Sequence, residues 1–148
     1  MEVDYNIQAN DKFSFLIIED DDVDAKSLER ALTKARLTNQ IFRAYDGIEA
    51  MAMLRGDGKY IPPLQPCVLI VDINMPRMSG IELIRNIRND SNLKNMVVFI
   101  LTTSNSAVDK MAAYDLSIAG YILKEKVGKS FADLTTFLEQ YVKMIELP

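Results

Sequence analysis

Four short polar clusters in this chain each follow an apolar run: Glu19-Asp20-Asp21-Asp22, Asp72-Ile73-Asn74, Thr102-Thr103-Ser104 and Lys124-Glu125. Carboxylates, hydroxyls and one amine brought to a common point would make a hard-cation site of oxygen ligands facing an ammonium. Carboxylates at close range repel one another, so a bound ion would relieve a cost already present in the fold. Magnesium is the natural occupant, because it keeps several waters, takes one or two carboxylates and leaves a position for a phosphoryl oxygen. The chain has no histidine and a single cysteine, Cys67. That removes triads with a histidine base, zinc hydrolases, cysteine zinc clusters and any intramolecular disulfide.

The elements between these clusters explain how they could meet. Phe13 to Glu19 is an apolar run of strand length, and Ala25, Leu28, Leu32 and Ala35 then repeat at helical spacing. Gln40 to Ala44 reads as a second strand, followed by Asp46 and Glu49, spaced as a capping box before Ile48, Met51 and Leu54. Gly56 to Pro66, with two glycines and three prolines, is a loop, and Cys67 to Val71 is a fully apolar third strand. Ser79 and Glu82 cap a third helix through Ile81, Ile84 and Ile87. Met96 to Leu101 is the fourth strand, and Ala107, Val108, Met111 and Ala112 suggest the fourth helix. Ile118 to Leu123 is the fifth strand, and Phe131, Leu134, Leu138, Tyr141 and Ile145 mark a long fifth helix. Strands separated by helices pair in parallel through right-handed crossovers, which gives a three-layer α/β domain with its functional groups at the carboxyl ends of the strands.

Taken singly, each cluster has a plainer explanation. Asp21, Asp22 and Asp24 can be a helix cap, favoured by the helix dipole alone. Asp72 can cap a loop, Thr102 to Ser104 can form a hydroxyl-rich turn, and Lys124 can be a surface lysine. Glu19 and Asp20 are harder to dismiss, since a charge without a partner at the end of an apolar strand is costly. Their joint occurrence at four strand ends is what favours a single site.

Those strand ends stand within Leu-Ile-Ile-Glu-Asp-Asp, Leu-Ile-Val-Asp-Ile-Asn-Met-Pro-Arg-Met-Ser-Gly, Ile-Leu-Thr-Thr-Ser and Gly-Tyr-Ile-Leu-Lys, with 30 residues from Asp72 to Thr102 and 22 from Thr102 to Lys124. In that order and spacing the chain resembles the response-regulator receiver domain of two-component phosphorelays, from about Phe13 to Ile145. The resemblance implies a flavodoxin-like, doubly wound (βα)5 sheet of strand order 2-1-3-4-5. It also implies that Asp72 accepts a phosphoryl group from a phosphohistidine on a partner, while Glu19, Asp20, Asp72 and the backbone carbonyl of Asn74 hold magnesium. Lys124 would pair with Asp72 and then with the phosphoryl oxygens, Thr102 and Thr103 would supply hydroxyls, and Tyr121 would change rotamer as the readout. A sensor histidine kinase or phosphotransfer protein is the implied donor, and a protein partner or a second copy would read the surface of helix four, strand five and helix five. The wording of the motifs is most similar to the stand-alone members encoded beside phytochrome-type or other sensor kinases. The family usually has proline after the strand-five lysine, and here Glu125 stands there. A cis bond before a residue other than proline costs about 2.5 to 4 kcal/mol, so the Lys124–Glu125 bond is expected to be trans, with Lys126 the alternative amine if the loop diverges.

Other classes fit less well. A haloacid-dehalogenase-type phosphatase also uses an aspartate nucleophile, but it wants a second aspartate two residues later, where this chain has Asn74. A flavin carrier would bring its phosphate against Glu19 to Asp22, which repels it. A degenerate receiver acting as a phosphorylation-independent adaptor should lack part of the acceptor set, which is complete here. The net charge of −4, from 17 basic and 21 acidic residues, disfavours a nucleic-acid partner. No run approaches a membrane span, and residues 1–12 read as a short arm without signal-peptide character ahead of a single domain, 13–148. With one thiol and no export signal the cytoplasm is the expected compartment, and little sequence after Ile145 is left for an output domain. Met51, Met53, Met96 and Met111 are expected in the core, Cys67 as an inert buried thiol. The apolar stripe of helix five, with Phe137 and Tyr141, could be absorbed by the core or serve in part as a dimer surface.

Overall fold

The computed structural model describes residues 13–38 and 40–148; the expected arm, 1–12, lies outside the described residues. Five strands alternate with five helices: β1 (Ser14–Ile18), α1 (Asp22–Ala35), β2 (Ile41–Ala44), α2 (Gly47–Arg55), β3 (Cys67–Val71), α3 (Gly80–Arg88), β4 (Val97–Thr102), α4 (Ala107–Asp115), β5 (Gly120–Leu123) and α5 (Ala132–Met144). The strands form one parallel sheet in the order β2-β1-β3-β4-β5. This is the doubly wound arrangement expected of the alternating pattern.

The period of two along each strand divides the core. Leu16, Ile18, Leu69, Val71, Val98 and Ile100 face one way and pack with Leu54, Leu83, Ile84, Ile87 and Ala113 of α2, α3 and α4. Phe15, Ile17, Val68, Ile70, Phe99 and Leu101 face the other way, onto Leu28 and Leu32 of α1 and Leu134 and Leu138 of α5. Because β3 is buried on both faces, it reads in sequence as an unbroken apolar run, and β1 does so but for Ser14, whose hydroxyl donates to the Leu64 carbonyl at 2.6 Å. The register pairs Ile18 with Val71, Val71 with Ile100 and Thr102 with Leu123, which sets the next residues of β1, β3 and β5 along one edge. The topological reversal lies between β1 and β3, beside that edge.

Both cap signatures are realised. Asp46 accepts from the Glu49 amide at 2.9 Å and Ser79 from the Glu82 amide at 3.2 Å. The box at α2 is altered, however: Glu49 reaches back one residue further, to the Tyr45 amide at 2.8 Å, and also accepts from the Tyr60 hydroxyl at 2.7 Å. β5 begins at Gly120 rather than Ile118, because the turn that closes α4 passes through Ser117 in the left-handed region (φ 59°). The Lys124–Glu125 bond is trans, and Lys124–Lys126 winds into a short 3-10 turn. Among the described residues the cis bond is Gln65–Pro66.

Met111 departs from expectation. Met51, Met53 and Met96 are buried, but Met111 is 69% exposed, as are Val108 and Tyr114 to a large extent. Among the residues of α4 only Ala113 is fully enclosed, so its Val108–Met111 stripe points outward. The short side chain of Ala113 lets α4 sit on the sheet with one narrow contact line, and an apolar residue one step round the helix is left outside it. On α5 the outcome is divided: Leu134, Leu138 and Tyr141 join the core, the last edge-on to Phe99 at 5.0 Å, while Phe137 stays about half exposed.

Cys67 opens β3 and is 2% exposed, and burial, against a hydrogen bond with Ser14, pushes its thiol up to about 11. The expected result with a thiol-reactive dye at pH 8 is no labelling of the folded protein and complete labelling in denaturant; rapid labelling of the native chain would contradict this burial.

Candidate phosphoacceptor and metal site

The acidic pair at the end of β1 is fixed from its backbone. Arg43 on β2 donates from Nε (3.1 Å) and a terminal nitrogen (2.8 Å) to the Glu19 carbonyl, and from its other terminal nitrogen to Asp22 Oδ1 at 2.7 Å. The Tyr45 hydroxyl donates to the same Asp22 oxygen at 2.6 Å, with the Arg43 guanidinium 4.0 Å from the Tyr45 ring centre. Arg43 and Tyr45 both hold Asp22 below the ordinary carboxylate range, the tyrosine hydrogen bond contributing most. Asp21 caps α1 by accepting from the Asp24 amide at 3.0 Å. The loop after β1 is therefore tied to β2 and to the helix that follows it. Glu19 itself is 5% exposed and Asp20 half-buried.

Asp72 is placed by β3. Its amide donates to the Ile18 carbonyl at 3.0 Å, which brings it alongside Glu19. Behind it stands Gly80, the first residue of α3, whose amide bonds the Ile73 carbonyl at 2.9 Å. A Cβ on Gly80 would lie 2.3 Å from the Asp72 carbonyl oxygen and 2.9 Å from Ile73 Cα, both backbone atoms with no rotamer to turn aside. Gly80→Ala is accordingly expected to lose about 2 kcal/mol of stability through overpacking, read as a lower urea midpoint. A midpoint equal to wild type would mean that α3 can move off the strand end freely.

Lys124 crosses from the end of β5 to meet both carboxylates. Its Nζ lies 2.5 Å from Glu19 Oε1, 2.7 Å from Asp24 Oδ2 and 3.4 Å from Asp72 Oδ2. Its side chain is 12% exposed, so it is no surface lysine. Burial pulls the ammonium down, but hydrogen bonds to Asp24 and Glu19 outweigh it and hold Lys124 above the ordinary lysine range. Burial, opposed by the Lys124 hydrogen bond and reinforced by the neighbouring Asp72, pushes the Glu19 carboxyl up to about 7.

The donor set fits a divalent cation. Glu19, Asp20 and Asp72 each offer an oxygen, and the three oxygens lie within 4.8 Å of one another. Asp72 Oδ1 is buried without a hydrogen-bond partner. A buried acceptor without a partner costs roughly 1–3 kcal/mol, and an ion or an incoming group would satisfy it.

The other expected residues stand apart from this centre. Thr102 is fully buried at the end of β4 and accepts from the Ser104 amide at 3.2 Å. Thr103 and Asn74 are exposed. Tyr121 is half-buried and its hydroxyl donates to the Ser104 carbonyl at 2.9 Å, closing the ring onto the loop after β4. Among the described residues no hydrogen bond joins Asn74, Thr102, Thr103 or Tyr121 to Glu19, Asp20, Asp72 or Lys124. Lys126, the alternative amine, is exposed. Two participants escape a reading by sequence alone: Asp24, which looks like a helix-start acid, and Arg43, a cation in a strand.

Residues 15–134 match the family model of the response regulator receiver domain. The chain belongs to that family. Receiver domains are signalling modules of two-component systems rather than classical enzymes, and they exchange signals with histidine kinases or phosphotransfer proteins and with downstream partners. This receiver is similar to the response regulator Rcp1 of Synechocystis sp. (strain ATCC 27184 / PCC 6803 / Kazusa), 27% identical over 142 residues, 95% of this chain and 97% of Rcp1. It also superposes on the crystal structure of the phosphorylated cyanobacterial phytochrome response regulator RcpA with a TM-score of 0.82 at 28% identity, over 93% of this chain and 99% of that one. The Mn(2+)-bound form of Rcp1 gives 0.78 at 26% identity, again over 93% and 99%. Among the described residues no helix of this receiver is long and apolar enough to cross a membrane.

Proposed function

We propose that this receiver takes a phosphoryl group on Asp72 from a phosphohistidine of a sensor histidine kinase or phosphotransfer protein. The observation that carries the reading is Asp72 Oδ1, buried without a partner beside two further carboxylates and one ammonium. In the proposed step an Asp72 oxygen attacks phosphorus in line, the new P–O bond forms as the P–N bond breaks, and the electron pair returns to the partner's imidazole. Glu19, Asp20, Asp72 and the Asn74 carbonyl would hold magnesium, which when bound neutralises charge on the phosphoryl oxygens. Lys124 neutralises charge on the opposite side, and Thr102 and Thr103 supply hydroxyls to the same oxygens. The loop carrying Thr102 then draws inward and releases the Tyr121 hydroxyl from Ser104. Signal passes by protein contact through α4, β5 and α5, where Val108, Met111 and Tyr114 already present apolar surface, to a downstream partner or a second copy. The similarity to RcpA supports a phytochrome-type kinase as donor, and the single thiol a cytoplasmic setting.

The test is the intact mass after incubation with acetyl phosphate, or with a purified cognate kinase, followed by mapping of the modified peptide. The expected result is a gain of one phosphoryl group that needs magnesium and maps to the segment holding Asp72. No gain from either donor would overturn the reading in favour of a phosphorylation-independent adaptor.

A further inference from the structure

We infer that Asp24 is a positioning residue that holds the Lys124 ammonium off the acceptor, and so limits how firmly a phosphoryl group is retained on Asp72. The inference rests on Asp72 being the acceptor. An ammonium has three donors, and here the two short contacts go to Glu19 (2.5 Å) and Asp24 (2.7 Å) while the third, to Asp72, is stretched to 3.4 Å. Asp24 reaches Lys124 from the first turn of α1, 100 positions away in the chain, and its backbone is fixed there by the cap on Asp21. The helix beneath is in turn anchored by Leu28 and Leu32, both buried against the sheet. Asp24 lies outside the group of three carboxylates able to share a cation, so its partner is the lysine. For Lys124 to engage phosphoryl oxygens on Asp72 fully, it must loosen its bond to Asp24. The two acceptors compete for one cation.

Replacing the charge should release the lysine. At saturating magnesium, Asp24→Asn is expected to lengthen the half-life of the aspartyl phosphate by about two- to fivefold, the range of a partly exposed ion pair, as followed by intact mass. Asp24→Glu, which restores the charge, is expected to return the half-life toward that of wild type. In a Lys124→Met background Asp24→Asn should change nothing, since the competition runs through the lysine. An equal change in both backgrounds would reduce Asp24 to a general field effect and overturn the inference, as would an unchanged half-life in Asp24→Asn alone. A thermal-unfolding cycle over wild type, Asp24→Asn, Lys124→Met and the double variant, without phosphate donor, should show coupling between Asp24 and Lys124; additivity would overturn the pairing itself. Absence of a phosphoryl group on every variant would instead overturn the acceptor reading of Asp72, an outcome distinct from equal half-lives.

Discussion

Asp72→Asn is expected to gain no phosphoryl group from acetyl phosphate, with or without magnesium, and to unfold at a higher temperature than wild type in metal-free buffer. The two effects have one cause. Glu19, Asp24 and Asp72 gather around a single ammonium, with Asp20 beside Glu19 and Asp72, so the folded site carries more negative charge than Lys124 can balance. The raised Glu19 carboxyl, near 7, shows that burial and Asp72 disfavour its ionised form even with Lys124 at hand. Asparagine at 72 removes one charge and brings two N–H donors into the surroundings where Asp72 Oδ1 now has no partner. Relief of that group and of the repulsion is expected to be worth about 1–2 kcal/mol, a rise of a few degrees in Tm for a domain of this size. Magnesium should narrow the gap, because an ion that binds the native acidic site stabilises wild type by mass action and has less to bind in the variant. A carboxamide has no anionic oxygen to attack phosphorus, so uptake should vanish. Phosphoryl gain at full extent in Asp72→Asn would place the acceptor elsewhere; a lower Tm in chelator would show that the Asp72 charge is compensated by contacts of its own.

How much of this was legible beforehand depended on how local each signal is. β3 is read to the residue, because a strand buried on both faces is an apolar run from Cys67 to Val71, and polar Asp72 ends it. The caps at Asp46 and Ser79 are equally local, each resolved within four residues. The expectation that strand ends converge came from topology, and Glu19, Asp72 and Lys124 do meet. Other features needed contacts that leave no trace in spacing. Asp24 has the same sequence setting whether it caps a helix or grips an amine 100 positions on, and only the folded chain distinguishes them. Arg43 sits in a strand where a charge would usually face water, yet three of its bonds are spent on Glu19 and Asp22, across the turn from β1 into α1. Met111 fails for the opposite reason: its helical spacing with Val108 is real, but a stripe's orientation is set by which residue of α4 the sheet admits, and that residue is Ala113. Asn74 and Thr103, expected from resemblance, stand exposed at the rim, where a role must await a group bound between them and Asp72.

The second large effect is expected at the amine. Lys124→Met keeps most of the side chain's volume and removes the cation on which Glu19, Asp24 and Asp72 converge. Deleting one partner of a buried pair is far more costly than the pair is worth, since the remaining charges stay desolvated and unmatched. With three carboxylates left facing one another, the expected loss is about 3 kcal/mol in chelator, read from the urea midpoint at an unchanged slope. Lys126 cannot stand in, because it is exposed two residues further along the 3-10 turn. The same repulsion that destabilises the variant should sharpen its response to magnesium. An ion entering the Glu19, Asp20 and Asp72 group replaces the missing positive charge, so the rise in midpoint between chelator and saturating magnesium should be larger in Lys124→Met than in wild type. Combining Lys124→Met with Asp72→Asn should recover part of the loss, as one carboxylate of the unbalanced set is gone. If Lys124→Met unfolds at the wild-type midpoint in chelator, the carboxylates must be taking up protons instead of repelling. Glu19, already raised to about 7, would be the first to do so. That alternative is separable, because proton uptake on a carboxyl raised in the folded state makes the variant's stability fall as pH rises from the ordinary 4.5 through the folded value of about 7, whereas charge imbalance already present at neutral pH lowers the midpoint there at once.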